Sequence, residues 1–165
     1  MNRSEMMAAV RSKNTRPEML VRRMAHVMGY RYRLHVSTLP GKPDLVFPAR
    51  RSVIFVHGCF WHQHGCSSGD SHLPNSNKSY WHPKLERNRA RDAEHLKALG
   101  ASGWKCLVLW ECELAKPKTI QHRLASFLGP STSFLRLSKS RPARQTPAAR
   151  TSRPARKRGS SPQKR

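Results

Sequence analysis

DLVFPARRSVIFVH, residues 44–57, holds two short apolar runs rich in β-branched and aromatic residues, parted by Pro-Ala-Arg-Arg-Ser. Runs of that kind, bounded by Pro, Arg and Ser, read as strand, loop and strand, and so as a hairpin. Asp44 begins the first arm and His57 ends the second. In an antiparallel pair those positions lie together, so a carboxylate and an imidazole converge at one sheet edge.

Upstream, Thr15-Arg16-Pro17-Glu18 reads as a capping box, with Thr15 at the N-cap and Glu18 reaching back to it. The helix that follows carries Leu20, Met24 and Met28 at every fourth position, with Val21 and Val27 beside them and Gly29 as its stop. Tyr30, Tyr32, Leu34 and Val36 then alternate with Arg31, Arg33 and His35, which predicts a half-buried strand; TLPGKP is a turn. Downstream, a helix is predicted from about Leu85 to Leu99, with Ala93 and Leu96 on its buried side and Gly100 after it. WKCLVLW, residues 104–110, is apolar enough for a central strand covered on both faces, and Ile120, Leu124 and Phe127 or Leu128 mark a short helix between Pro117 and Gly129. The predicted order is α-β-β-β-α-β-α, an α/β fold without internal repeats.

The chain has 165 residues and a formal charge of +23, from 32 Lys and Arg against nine acids. Solubility needs far less, so a polyanion is the expected partner. From Pro130 onward, 36 residues hold eleven Lys and Arg and no acid, among Ser, Pro and Ala. This is expected to be a disordered basic tail that adds sequence-independent phosphate attraction, or else merely a solvated one. Residues 1–129 keep 21 basic residues against nine acids, +12, and form the expected folded domain. The longest apolar runs, Val53 to Val56 and Cys106 to Trp110, are too short to span a bilayer, and MNRSEMMAAV has no apolar h-region. A cytoplasmic, DNA- or RNA-directed protein with reduced thiols is therefore expected.

VHGCFWHQHGC, residues 56–66, concentrates the chemistry. Cys59, His64 and Cys66 offer thiolate and imidazole across a tight loop, and Cys112, beyond the apolar strand, can supply the fourth ligand of a tetrahedral Zn²⁺ site. The alternative is four unbound cytosolic thiols. Cys106, inside the strand, is most simply a core residue. With His64 on a metal, His62 is left as a candidate base, and His57 offers the same chemistry, although either is also readable as a structural histidine. Asp44 would hold Mg²⁺ through oxygen, or is a turn residue. Such a group suits phosphodiester hydrolysis: a metal to neutralise charge and a base to activate water. Phe60-Trp61 is either an aromatic wedge between base pairs, favoured where pairing is already weak, or ordinary packing.

RSKNTRPE, GYRYRLHV, LPGKPDLVFP, VIFVHGCFWHQHGC and VLWEC together resemble the very-short-patch-repair (Vsr) mismatch endonucleases, from about Met7 to Leu128. The resemblance implies a restriction-endonuclease-like fold with an α-β-β-β-α-β core, a mixed sheet flanked by helices, and a structural zinc site. It implies nicking of double-stranded DNA 5′ of the thymine in T·G mismatches left by deaminated 5-methylcytosine. By position, Asp44 is then the Mg²⁺ ligand, the Val56 carbonyl a second one, His62 the catalytic base, His57 a group near the phosphate and Glu18 a supporting acid as well as a cap. Cys59, His64, Cys66 and Cys112 match the zinc ligands, and Phe60, Trp61 and Met7 the intercalating residues. A monomer is expected, associated with the nucleoid when bound to DNA and acting with other repair proteins. Phe55-Val56-His57 stands where most restriction enzymes carry an acid-x-Lys triplet, which favours repair over restriction. The two rival readings are a restriction-type or structure-specific nuclease on the same fold, and a non-catalytic zinc-containing nucleic-acid-binding module.

Overall fold

The structure is a computed structural model that describes residues 14–66 and 78–131. Met7 and nearly all of the basic tail lie outside those residues. In chain order the elements are α1 (Arg16–Val27), β1 (Leu45–Phe47), β2 (Ser52–His57), α2 (Lys78–Ala101), β3 (Lys105–Trp110) and α3 (Pro117–Leu128), with 3-10 turns at Pro48–Arg50 and Glu111–Ala115.

The sheet has three strands in the order β1-β2-β3. β1 and β2 form the predicted hairpin, antiparallel with Leu45 opposite Ile54 and Phe47 opposite Ser52. β3 joins β2 in parallel, from Ser52 opposite Lys105 to His57 opposite Trp110. All six residues of β2 are buried, because both its faces and both its edges are covered. One core layer gathers Val21 and Ala25 of α1 with Leu45, Phe47, Ile54, Leu109 and the α3 residues Ile120, Leu124 and Leu128. The other places Val46, Val53 and Phe55 against Leu99 of α2. The result is a mixed α/β arrangement with helices on both faces.

Three expectations need correction. The segment 30–36 is not a strand: its single bridge, Arg33 to Val46, is made by hydrogen bonds of 2.8 and 3.0 Å. The pairing goes no further because His35 sits at φ +53°, which turns the chain out of the extended region. Its tyrosines are held by other partners instead, Tyr30 donating to the Gly129 carbonyl (2.7 Å) and Tyr32 to that of Arg22 (3.0 Å). Second, β3 is an edge strand among the described residues rather than the central one; its apolar run reflects partly covered faces, with Leu109 alone fully buried, and not paired edges. Its outer rim is partly closed by side chains. The Trp110 N–H donates to Glu113 Oε2 at 2.8 Å, Arg123 Nη2 donates to the Val108 carbonyl at 3.0 Å, and Arg123 and Glu113 are paired with each other. Third, α2 begins at Lys78, ahead of Leu85, and carries Pro83 inside it, and Ala93 faces solvent. Trp81, Leu85 and Leu99 form its buried stripe.

In α1, the Glu18 N–H donates to Thr15 Oγ1 (3.4 Å), as a cap requires. The Glu18 carboxylate returns to the Thr15 hydroxyl (2.9 Å) and the Asn14 N–H (3.0 Å), one residue further back than a standard box. Val21 and Ala25 face the core, Leu20 and Met24 are part-buried, and Val27 is 85% exposed. Among the described residues no helix is long and apolar enough to cross a membrane.

Candidate active site

A cleft of about 900 Å³ opens where β2 and β3 end and β1 begins; its walls include Glu18, Asp44, Val56, His57, His62 and Asp92. The hairpin register makes it. The Val56 N–H donates to Asp44 Oδ2 at 2.7 Å, which fixes the carboxylate directly ahead of β1. Burial pushes the Asp44 carboxyl up to about 6, Glu18 pushes the same way, and the Val56 N–H and Arg22 act against them. The strained charge is one that a bound cation would relieve. Glu18, from the first turn of α1, is buried and paired with buried Arg22 at 2.9 Å. It is therefore both a cap and part of the cleft wall.

Opposite Asp44 lie the histidines. His57, ending β2, and His62, in the following loop, stack with centroids 3.7 Å apart and planes 6° from parallel. His62 Nδ1 meets Asp92 Oδ2 of α2 at 2.5 Å. Burial, and then the neighbouring His62, pull the His57 imidazole down to about 4, with Asp92 opposing, so His57 stays neutral at physiological pH. The nitrogen and oxygen donors of His57, His62 and Asp92 lie within 4.8 Å of one another. Parallel rings aim their in-plane lone pairs side by side, not at a common point. The trio is thus better shaped for handling a proton than for chelating an ion.

Beside the cleft, Cys59, His64, Cys66 and Cys112 bring four ligand atoms within 4.8 Å of one another. His64 Nδ1 is 3.8 Å from Cys59 Sγ and 3.4 Å from Cys112 Sγ. Those separations fit the edge of about 3.5 Å in a tetrahedral site with sulfur and nitrogen bonds near 2.3 and 2.0 Å. Without a metal two of the thiols are costly to ionise: burial, against a partly opposing hydrogen bond from the neighbouring cysteine, pushes Cys59 up to about 12 and raises Cys112. A thiophilic cation would reverse that preference and bind the thiolates. Cys106 stays apart from this group and packs on the second core layer.

Phe60 and Trp61 are part-buried at the rim, where Trp81 of α2 meets them edge-on at 5.3 and 6.1 Å. The Lys84 ammonium lies 5.4 to 5.8 Å from the Trp81 and Trp61 ring centres.

The sequence reading thus located Asp44, Glu18, Val56, His57 and His62 in one cleft and the four Cys/His side chains in a second group. It did not single out Asp92, Arg22, Trp81 or Trp110. The overlooked signal lay in α2, whose inner stripe runs Trp81, Leu85, Asn88, Asp92, Leu96, Leu99. Two polar residues in the middle of an otherwise apolar stripe mark where the helix faces a cleft rather than a core. Chemically, a buried and a part-buried carboxylate sharing a cleft with an imidazole–carboxylate pair, on a strongly basic chain, suit metal-assisted hydrolysis of an anionic ester.

Comparison with known proteins agrees. The family profile described as DNA mismatch endonuclease Vsr matches residues 1–68. The type II nicking enzyme V.XorIIP of Xanthomonas oryzae pv. oryzae is 55% identical over 129 residues, 78% of this chain and 93% of that enzyme. The type II nicking enzyme V.NmeAIP of Neisseria meningitidis is 41% identical over 122 residues, 74% of this chain and 86% of the relative. The DNA mismatch endonuclease Vsr of Escherichia coli is 36% identical over 112 residues, 68% and 70% respectively. The chain belongs to the Vsr family of DNA endonucleases.

Proposed function

We propose that this endonuclease nicks double-stranded DNA 5′ of the thymine in T·G mismatches, on a restriction-endonuclease-like core, as a monomer that starts short-patch repair. The observation that carries the reading is the convergence of Asp44 and the His62–Asp92 pair on one cleft in a Vsr-family chain. Asp44, with the Val56 carbonyl, would hold Mg²⁺, and Cys59, His64, Cys66 and Cys112 would hold Zn²⁺. Bound there, Mg²⁺ supplies charge neutralisation at the phosphate and Zn²⁺ supplies rigidity to the 59–66 loop. The Asp92 carboxylate occupies His62 Nδ1, so Nε2 is the nitrogen left to take the proton of an attacking water. Water adds to phosphorus, losing its proton to His62, the P–O3′ bond breaks, and the departing O3′ takes a proton from solvent water, giving a 5′-phosphate and a 3′-hydroxyl. His57 and Glu18 border the reacting phosphate. Phe60 and Trp61, with Met7 from the opposite groove, enter the mismatched step.

A labelled duplex panel tests this. Asp44→Asn and His62→Ala should each abolish nicking of a T·G duplex while leaving binding largely intact; full activity in either removes the mechanism. Equal cutting of paired, mismatched and branched duplexes would favour the restriction-type or structure-specific nuclease. Tight binding with Mg²⁺ and no nicked product would favour the zinc-containing binding module. The identities to V.XorIIP and V.NmeAIP, both named for nicking, exceed that to the E. coli mismatch enzyme, so the panel should also vary the bases flanking the mismatch.

A further inference from the structure

Trp110 ends β3 directly opposite His57 and lies between the two histidine-containing groups. One face of its indole stacks on His64, centroids 4.1 Å apart and planes 5° from parallel. It meets His57 in a T-shaped contact at 5.4 Å and 74°, and His62 stands 6.5 Å away at 69°. The backbone beneath is pinned, because the Trp110 N–H donates to Glu113, which Arg123 holds. A single rigid side chain therefore touches the imidazole of the Cys/His group and an imidazole of the cleft.

We propose that Trp110 is a positioning residue through which the Cys59–His64–Cys66–Cys112 group sets the orientation of the His57–His62 stack. Ligating histidines are usually oriented by a hydrogen bond from the second ring nitrogen. Here the stack on Trp110 defines the His64 ring plane, and with it the aim of Nδ1 at the Cys59 and Cys112 sulfurs. The same indole, set at 74° to the His57 ring, limits how far His57 can tilt. His57 in turn backs the His62 ring. Filling the Cys/His group fixes His64, and that fixes one wall of the histidine stack. His57 sits on β2, outside the 59–66 loop, so the indole gives the metal group a route to it other than the loop backbone.

The inference rests on the proposed zinc and cleft assignments, and the test separates its failure from theirs. In full-length protein with labelled histidine rings, exchanging zinc for cadmium should shift the His57 and His62 ring signals. In Trp110→Leu the His57 shift should disappear, while His62, two residues from His64, keeps part of its own. Zinc content and KM for the T·G duplex should stay at wild-type values while kcat falls about tenfold or more, the usual cost of losing an outer support. Trp110→Phe, which keeps a ring against His64 but reaches less far, should be intermediate in both measurements. An undiminished His57 shift in either variant, or wild-type His57 signals indifferent to the exchange, overturns the coupling. Loss of zinc together with activity in Trp110→Leu also overturns it, showing a merely structural role. Should Trp110→Leu fail to fold, the Phe variant carries the comparison. If the wild type nicks no T·G duplex, the functional assignment falls while the ring signals still decide the coupling.

Discussion

Asp44→Asn should make the Mg²⁺-free protein more stable at the same time as, on the proposed mechanism, it ends catalysis. The carboxyl is raised from 3.8 to about 6, mainly by burial. A folded-state pKa above the unfolded one means that the folded protein binds the extra proton. Its stabilising effect is therefore full below pH 3.8 and lost as pH rises through 6. At pH 8 the carboxylate is ionised in the fold at a cost near 1.36 kcal/mol per unit, about 3 kcal/mol in total. An amide has no such charge, and its oxygen can still accept the Val56 N–H bond seen at 2.7 Å. Part of the gain will be offset by the amide N–H₂, which needs a partner of its own, so about 1–3 kcal/mol should survive. For a folded part of this size that raises the melting temperature by roughly 3–10 °C. The measurement is thermal melting of both proteins with zinc retained and no Mg²⁺, from pH 4 to 8. The gap should be widest at pH 8 and close near pH 4, and added Mg²⁺ should raise only the wild type. A variant that melts at or below the wild type at pH 8 would refute the reasoning, since burial would then not be straining this carboxylate.

Other consequences are as direct. Asp92→Asn replaces a charge-assisted bond to His62, worth about 1.5–3 kcal/mol, so kcat should fall roughly 10- to 100-fold with KM little changed; unchanged turnover would remove Asp92 from the mechanism. Gly41→Ala should destabilise the fold by about 2 kcal/mol or more in a melt, because Gly41 has φ +72° and a Cβ there would stand 2.8 Å from His95 Nδ1. A neutral effect would mean that the 37–43 loop does not press on α2. Deleting residues 132–165 should flatten the salt dependence of DNA binding by about 0.9 for every phosphate that the tail neutralises in the intact protein. An unchanged slope would show that the tail does not touch DNA.

The hairpin was legible because 45–47 and 52–57 are short apolar runs with a break between them, and the pairing puts Asp44 and His57 at the same end of the hairpin, on one cleft. The Cys/His group was legible because three of its members lie within eight residues and the fourth follows an apolar strand. Alternation misled over 30–36: its tyrosines do turn inward, but side-chain period says nothing of whether a backbone finds a partner, and His35 turns away after one bridge. The edge position of β3 was hidden for a related reason, since hydropathy reports covered faces and not filled hydrogen bonds. Asp92 was hidden by its neighbours. Arg87, Arg89 and Arg91 make that stretch read as a solvated surface, and only the three- and four-residue steps from Leu85 to Leu99 show which side it faces.

The rim of β3 bears on how this molecule meets others of its kind. An unsealed strand invites a neighbour to continue the ladder, a hazard for a chain gathered at high local density along a polyanion. Here a newcomer would have to part Arg123 from Glu113 before reaching Val108 and Trp110. Crowding on DNA should therefore bring copies side by side without zipping their sheets together.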